Sequence, residues 1–416
     1  MPPLDSGVQS WQCNDPMCAG PEQVFLDGNQ LTEVSSGSTP GSGQFSLNGA
    51  RHVVLGDSPN AHSIEVSTRQ AWLVAAADNV TIQGFVMRHA ANSVNFGAVA
   101  NNGHNSWTVQ GNGLYSAHGP IVMIGGGSGA KILRNDIGGS GYLGIGSFND
   151  NGSLIQGNHI WYNNTAGFFL DWSGGGVKLV HSSNAVMDGN DAHDNNGPGL
   201  WCDLNCSNIT YSTNRVYYNV GRRSPGTGSP QVFFEISDGA SIRGNVVWGT
   251  IGGWPGIYVS SSANADVSGN VVAWSDRGIQ AYEQNRCCHS AQANVNIHNN
   301  WVAMAPTGTL AVMWGDDFGG SPITSPSRNN RGSGNIFFYP GGENGQPRFQ
   351  WGSQMFSSLG GFGSTPAGGS SMYVPAWDNT NLLNQYGVPS TPPGAAAIQA
   401  HVASTGTQVK LAKGLQ

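Results

Sequence analysis

A short motif of the form apolar–any–apolar–polar–Gly/Asn–Asn recurs along most of the chain and limits the folds that it can adopt. The first two steps between closing asparagines are both 23 residues, and later steps range from 24 to 35. A unit of this length cannot bury its own apolar face, so neighbouring units must stack and share a core. The repeat therefore predicts an all-β solenoid of roughly ten coils over residues 80–338. The copies end at Asn112, Asn135, Asn158, Asn190, Asn214, Asn245, Asn270, Asn300 and Asn335.

The recurrent asparagine suits a coil corner, because it tolerates the left-handed backbone conformation and its side chain can bond the asparagine of the next coil. Short strand-like segments in residues 1–79 are predicted to cap the first coil, since an open coil exposes an unpaired edge. Residues 339–416 are rich in Gly, Pro and Ser, which indicates loops and a tail that ends as a final strand or a disordered segment. Almost no α-helix is expected, because periods near 23 residues leave no room for helical crossovers.

Composition narrows the class of partner. The formal net charge is −7 and only 10% of residues are charged, so the clustered Lys and Arg that nucleic acid requires are absent. A strongly anionic polymer is mildly disfavoured for the same reason. No apolar run approaches the roughly 18 residues that span a membrane. We expect a monomer without a nucleic-acid or membrane partner.

The six cysteines form three close pairs, which suits an oxidising compartment better than reduced buried thiols or a zinc site. The opening MPPLDSGVQSW has neither a basic start nor an apolar core. The protein is therefore either cytoplasmic or has lost its signal peptide, and we expect the second, a secreted protein. The pairs are Cys13/Cys18, Cys202/Cys206 and Cys287/Cys288.

Five strands align when residues are counted back from their asparagine corners. Their first and third residues are mostly aliphatic and should point into the core, so the second and fourth should point outward. Aromatic rings beside carboxylates on one outer face are typical of a sugar-binding groove. The alternative is that long insertions cover this face and the rings form a second small core. The strands are VKLV (177–180), LWCD (200–203), VFFE (232–235), IYVS (257–260) and IQAY (279–282), and the outward columns are Lys178/Trp201/Phe233/Tyr258/Gln280 and Val180/Asp203/Glu235/Ser260/Tyr282.

The segments NNGPGLWCDLNC, QVFFEIS, GASIRGNVVWG and GIYVSSSANADVSGNVV resemble the right-handed parallel β-helix repeat proteins of the pectin-lyase-like superfamily. DWSGGGVKL resembles the loop and strand that precede GLWCD in those proteins, and the resemblance extends over roughly residues 20–300. It implies a right-handed parallel β-helix with an N-terminal β cap. The superfamily includes glycoside hydrolases, polysaccharide lyases, epimerases, esterases and phage depolymerases, so the resemblance does not select a reaction.

Asp203 and Glu235 occupy the same outward position on adjacent coils, so their charges should repel and one should hold a proton near neutrality. Such a pair is what glycosidic cleavage uses, and we predict that these two residues are catalytic. Asp171 is a third candidate that could orient a water molecule or bind substrate, or simply stabilise a turn. The predicted sugar contacts are Lys178, Trp172, Trp201, Phe233, Tyr258 and Tyr282.

Two other functions remain open. In a lyase or epimerase acting on a uronate polymer, Lys178 would neutralise the carboxylate or act as the base, and Tyr258 or Tyr282 would supply the proton. A non-catalytic glycan-binding adhesin would use the same rings without needing paired carboxylates. No metal or other cofactor is predicted as required, with calcium as an option because Asp188, Asp191 and Asp194 of DGNDAHDNN offer oxygen ligands. Turn roles are favoured for these aspartates, and corner roles for His181 and His193 over acid–base roles.

Overall fold

Three long β-sheets run the length of the molecule in the computed structural model, which describes residues 8–9, 12–14, 16–221, 227–286, 288, 291–378 and 380–412. Sheets A, B and C contain 12, 10 and 11 strands, and each complete coil contributes one strand to each sheet. Every strand pairs in parallel with its equivalent in the next coil, apart from the final antiparallel pair of sheet A. The all-β solenoid prediction is confirmed.

The strands of sheet A are Leu73–Val74, Val99–Ala100, Val122–Gly125, Leu143–Phe148, Gly175–Val180, Leu200–Asp203, Val232–Glu235, Pro255–Ser260, Arg277–Glu283, Val312–Asp316, Phe349–Trp351 and Gln354–Phe356. The strands of sheet B are Thr81–Gln83, Thr108–Gln110, Lys131–Leu133, Leu154–Gln156, Val186–Asp188, Ser207–Ser212, Asp238–Arg243, Ala263–Ser268, Asn296–His298 and Arg331–Ser333. The strands of sheet C are Val86–Ala90, Gly113–Ala117, Asp136–Gly138, His159–Trp161, Asp191–His193, Arg215–Tyr217, Val246–Trp248, Val271–Ser275, Trp301–Met304, Ile336–Phe338 and Met372–Tyr373.

The N-terminal segment forms two small three-stranded sheets with their own apolar cluster around Val24 and Phe45. Most of their pairings are antiparallel, which distinguishes them from the coils. Their strands are Val24–Leu26, Asn29–Gln30 and Ile64–Val66 in one sheet, and Thr32–Glu33, Gln44–Leu47 and Val53–Leu55 in the other.

The repeated asparagines form one continuous ladder between sheets B and C. The side-chain amide of each buried asparagine donates to the side-chain oxygen of the asparagine in the next coil, for example Asn112 to Asn135 at 3.0 Å and Asn245 to Asn270 at 2.9 Å. The predicted bond between coils is confirmed. The predicted left-handed backbone lies one residue earlier, as at Gly157 and Thr213, because the asparagine must turn its amide inward to reach its neighbour.

Helices appear only in the C-terminal region of the described chain, apart from 3-10 turns. The helices α1 (Leu359–Phe362), α2 (Thr380–Tyr386) and α3 (Ala395–Ala412) follow the last coils, and the 3-10 turns are Pro16–Ala19, Pro322–Thr324 and Pro326–Arg328. The prediction of a final strand or a disordered end for the tail, residues 401–416, is therefore wrong over residues 401–412, which belong to α3. Ile398 and Val402 of α3 are buried against Tyr218 and Trp248 on the outer side of sheet C, so tertiary burial of an apolar stripe stabilises this helix.

Parallel pairing extends past both predicted limits of the solenoid. Leu73–Val74 pairs with Val99–Ala100, and Met372–Tyr373 pairs with Ile336–Phe338. The motif did not mark these strands because it covers the sheet B strand and its asparagine corner, whereas Leu73–Val74 belongs to sheet A and Met372–Tyr373 to sheet C. Among the described helices, none combines the length and the apolar character that crossing a membrane requires.

Candidate functional site

The predicted register of the five strands in sheet A is confirmed. Lys178, Trp201, Phe233, Tyr258 and Gln280 lie directly opposite one another along one column, and Asp203 and Glu235 are paired on adjacent strands of the other column. The first and third residues of each strand are buried in the solenoid core. Side-chain alternation along a strand therefore placed these columns correctly on the outer face.

The aromatic column is not exposed, however. Trp201 is 1% exposed, and it stacks on Phe233, which stacks on Tyr258 with ring centroids 4.9 Å apart. Trp254 and Tyr282 pack against this cluster from the sides. The expectation that these rings form an open surface is wrong, because the rings fill the space between the strands and the loops beside them. Trp201, Phe233 and Tyr258 instead form a second small apolar core, which was the alternative interpretation of the sequence.

An open groove of about 840 Å³ lies on the same sheet, displaced toward the N-terminal coils. It crosses six neighbouring strands, from Val99–Ala100 to Val232–Glu235, which corresponds to roughly 24 Å at the usual spacing of parallel strands. Gly146 forms part of its floor, in register with Lys178, and has no side chain that would fill the groove. A Cβ atom at this position would lie only 2.8 Å from the sulfur of Met123. Polar groups concentrate at the end toward Glu235. They are Asp171, Lys178, Asp203, Glu235 and Arg286.

One wall of the groove is the loop 162–174, which carries Asp171 and Trp172. The N-terminal segment buttresses this loop: the backbone N–H of Phe169 donates to the carbonyl of Gln12 at 2.8 Å, and the disulfide Cys13–Cys18 closes that segment. The opposite wall includes Leu204, which lies in the turn after Asp203. The disulfide Cys202–Cys206 links the two ends of this turn. These two predicted disulfides are present and both support the groove, whereas Cys287 of the third pair lies outside the described residues.

A network of alternating charges closes the groove. The ammonium of Lys178 lies 2.8 Å from Oδ2 of Asp203 and 3.5 Å from the centre of the Trp201 ring, and it also donates to the carbonyl of Trp172. The indole N–H of Trp201 donates to Oε2 of Glu235 at 3.0 Å, and Arg286 pairs with Oε1 of the same carboxylate. Asp203 keeps one buried oxygen, Oδ1, that has no hydrogen-bond partner among the described residues.

Burial decides the protonation of this network. Removal from water raises the pKa of Glu235 to about 7, and the nearby charge of Asp203 adds to the effect while Arg286 and Lys178 oppose it. Burial likewise lowers the pKa of Lys178 below its ordinary value, although Asp203 and Glu235 partly offset this. Near neutral pH, the protonated and ionised forms of Glu235 are therefore both populated.

The remaining predicted site residues divide between the groove and its surroundings. Trp172 lines the groove, and so does Asp171, where partial removal from water raises the pKa of the carboxyl above its usual value. Tyr258 and Tyr282 do not line it. Burial raises the pKa of Tyr258 to about 12, and the hydroxyl of Tyr282 donates to Asp317 at 2.6 Å.

The aspartates of DGNDAHDNN do not converge on a calcium site. Asp188 accepts from Ser212 on sheet B, Asp191 pairs with Arg215, and Asp194 accepts from His193 and Thr405. Successive side chains of a strand and its corner point in different directions, which separates these carboxylates. His181 lies outside the groove, with its ring edge-on to Phe148.

Phe148 and Arg286 are groove residues that sequence reasoning did not assign to the site. Phe148, which is 46% exposed, stands in register with Val180, and extending the strand alignment to earlier coils would have found it. Arg286 lies in the turn after the strand Arg277–Glu283, where strand periodicity predicts no direction for a side chain.

Comparison with known proteins agrees with this architecture. The family model described as "Right handed beta helix region" matches residues 96–302. The chain is a right-handed parallel β-helix protein. The match to this β-helix protein concerns the right-handed β-helix region alone and specifies no individual family. No curated protein matches it in sequence.

Solved structures similar to this β-helix protein share little sequence with it. The Dettilon tailspike protein is 12% identical with a TM-score of 0.43, over 78% of this chain and 60% of its own. The A-module of the mannuronan C-5 epimerase AlgE4 of Azotobacter vinelandii is 11% identical with a TM-score of 0.46, over 82% and 88%. The alginate lyase of Paenibacillus sp. str. FPU-7 is 15% identical with a TM-score of 0.43, over 66% and 89%. At this identity the likeness concerns the fold alone.

Proposed function

We propose that the groove binds a polysaccharide and that Asp203 and Glu235 cleave a glycosidic bond at its closed end. The observation that carries this proposal is the pair formed by Glu235 and Asp203. Glu235 is buried and has a pKa of about 7, and Asp203 lies opposite it on the adjacent strand, one coil away. A carboxylic acid and a carboxylate in one site are the groups that glycosidases use. The length of the groove, roughly 24 Å, accommodates several sugar rings in a row.

In this mechanism, protonated Glu235 donates its proton to the glycosidic oxygen of the leaving group. Asp203, whose charge Lys178 balances and whose side chain is 17% exposed, attacks the anomeric carbon from the side opposite the leaving group. Adjacent strands are about 4.8 Å apart, which is nearer to the carboxyl separation of retaining enzymes than to that of inverting enzymes. We therefore assign Asp203 as the nucleophile and Glu235 as the acid, which then acts as the base toward water.

Phe148 provides a test of sugar binding that is separate from the chemistry. Its ring lies on the groove wall and is half exposed, so it offers an apolar face to a pyranose ring. Phe148→Ala should raise KM about 5- to 10-fold, since burying part of one ring contributes about 1 kcal/mol. Turnover and melting temperature should change little, and Phe85→Ala, an equally exposed ring outside the groove, should leave KM unchanged.

Turnover should decrease as the pH rises through about 7. Glu235 must hold a proton to act, and its raised pKa of about 7 means that this proton is present below neutrality and lost above it. An activity that rises steadily from pH 6 to pH 9 would contradict an acid role for Glu235.

A second candidate is elimination or epimerisation on a uronate-containing glycan. The cations of Lys178 and Arg286 both line the closed end of the groove and could bind a uronate carboxylate. Against this, both cations already pair with Asp203 and Glu235, and neither Tyr258 nor Tyr282 lines the groove to supply a proton.

One experiment separates these functions and the non-catalytic alternative. The protein would be incubated with a panel of neutral and uronate-containing polysaccharides and assayed in parallel for new reducing ends and for absorbance of unsaturated products. Reducing ends without unsaturated products support hydrolysis, and unsaturated products support elimination. Retention of a glycan on affinity electrophoresis with neither product, and with the uronate composition unchanged by proton NMR, would make the protein a binding module, whereas a changed composition would support epimerisation.

We also propose that the protein works outside the cytoplasm. The two short-range disulfides support the walls of the groove, and such bonds persist in oxidising compartments. Detection of the protein in the culture medium of its producing cells, with both disulfides formed, tests this proposal.

A further inference from the structure

A second cluster of polar side chains lies on sheet C, away from the groove. His159 and Asp191 stand opposite each other on adjacent strands, and His193 follows Asp191 by two residues on the same outward side. The candidate ligand atoms of these three residues all lie within 4.8 Å of one another. The side chain of His159 is 42% exposed, so the cluster is open to solvent on one side.

The hydrogen bonds around the two imidazoles determine where their protons lie. Nδ1 of His159 lies 3.0 Å from Oδ1 of Asp136, and Nδ1 of His193 lies 2.8 Å from Oδ2 of Asp194. Ionised carboxylates only accept hydrogen bonds, so each Nδ1 must carry the ring hydrogen. In neutral imidazoles both Nε2 atoms then present lone pairs.

These two Nε2 atoms face each other at 2.8 Å. Two lone pairs at that distance repel, and only a cation between or beside them removes the repulsion. Carboxylates behind ligating histidines are the usual arrangement at protein metal sites, because they set the tautomer and make the free nitrogen more basic. Asp136 and Asp194 are placed in this way behind His159 and His193.

We propose that His159, Asp191 and His193 bind a divalent transition-metal ion of the zinc type. Two imidazole nitrogens and a carboxylate oxygen form a donor set that zinc accepts, with water in the fourth position. Tetrahedral coordination places two nitrogens roughly 3.3 Å apart, so the imidazoles need to open by about half an ångström. Asp191 also pairs with Arg215, but a carboxylate has enough lone pairs to serve both.

The metal would brace the C-terminal helix rather than act in the groove. Asp194, behind His193, accepts from the hydroxyl of Thr405 at 2.7 Å and lies 3.3 Å from Nε2 of His401, both on α3. A metal on His193 therefore fixes the imidazole whose carboxylate partner anchors this helix. Metal binding of this kind adds to folding stability in proportion to its affinity.

The test uses the full chain, stripped with a chelator and then titrated separately with Zn²⁺ and with Co²⁺. We expect one equivalent of Zn²⁺ by calorimetry, a raised melting temperature, and a visible Co²⁺ absorption band. His159→Gln and His193→Gln should each abolish the Co²⁺ band and the thermal shift. Asp136→Asn should keep the band but weaken affinity about 10- to 100-fold, as expected for a residue that orients a ligand.

His298→Gln is the matched control. His298 also bonds an aspartate, with Nε2 lying 2.9 Å from Asp266, but it has no hydrogen bond to a second imidazole among the residues that the structure describes. This variant should bind both metals as the parent does. The proposal is overturned if the parent binds neither ion stoichiometrically, or if His159→Gln, folded by circular dichroism, binds them unchanged. A ¹⁵N spectrum of the parent showing one proton shared between the two Nε2 atoms, together with no metal binding, would identify the cation as that proton.

Discussion

Asp203→Asn and Glu235→Gln are each expected to lower turnover on the true polysaccharide by about 10²- to 10⁴-fold. Glutamine at position 235 cannot deliver a proton to the leaving group, and asparagine at position 203 is too weak a nucleophile to attack the sugar. Both changes conserve shape, so the strands of sheet A should keep their register. Steady-state kinetics on the polysaccharide that responds in the panel measure the effect.

Glu283→Gln is a suitable control for these variants. Glu283 is a buried carboxylate at the end of a neighbouring strand of sheet A, and it pairs with Arg328 rather than lining the groove. Its replacement should leave turnover per folded molecule unchanged. Full activity in both Asp203→Asn and Glu235→Gln would refute the catalytic assignment, and Lys178 with Tyr258 and Tyr282 would then be the set to test.

Trp201→Ala should destabilise the fold by about 3 to 5 kcal/mol, the range for removing a fully buried aromatic side chain. The indole is enclosed by Phe233 and the ammonium of Lys178, and its N–H donates to Glu235. Its loss leaves a cavity in the aromatic cluster and removes a hydrogen bond from a buried carboxylate. Equilibrium unfolding in denaturant measures the change.

Trp301→Ala gives the comparison for an exposed indole. Trp301 is 43% exposed on the outer side of sheet C, so its removal should cost about 1 kcal/mol or less. If Trp201→Ala instead unfolds like the parent and loses only glycan affinity, the ring is a sugar platform after all, and the loops beside it must open to admit the substrate.

The sequence by itself determined the strand register and the alignment of Asp203 with Glu235. Both follow from rules that act along the chain: side chains alternate along a strand, and a repeated asparagine marks the same corner in every coil. The asparagine ladder was predictable from the same repeat, and the two disulfides join cysteines that lie only five and four residues apart in the sequence.

Only the tertiary structure decided which outward side chains are exposed. Trp201 and Phe148 both point away from the core of sheet A, yet loops and neighbouring rings bury the first and leave the second half exposed. Strand periodicity cannot predict how inserted loops pack, and it therefore could not place Arg286 beside Glu235. The approach of α3 to Asp194, next to His193, likewise depends on contacts between segments more than 200 residues apart, since Thr405 and Asp194 are separated by 211.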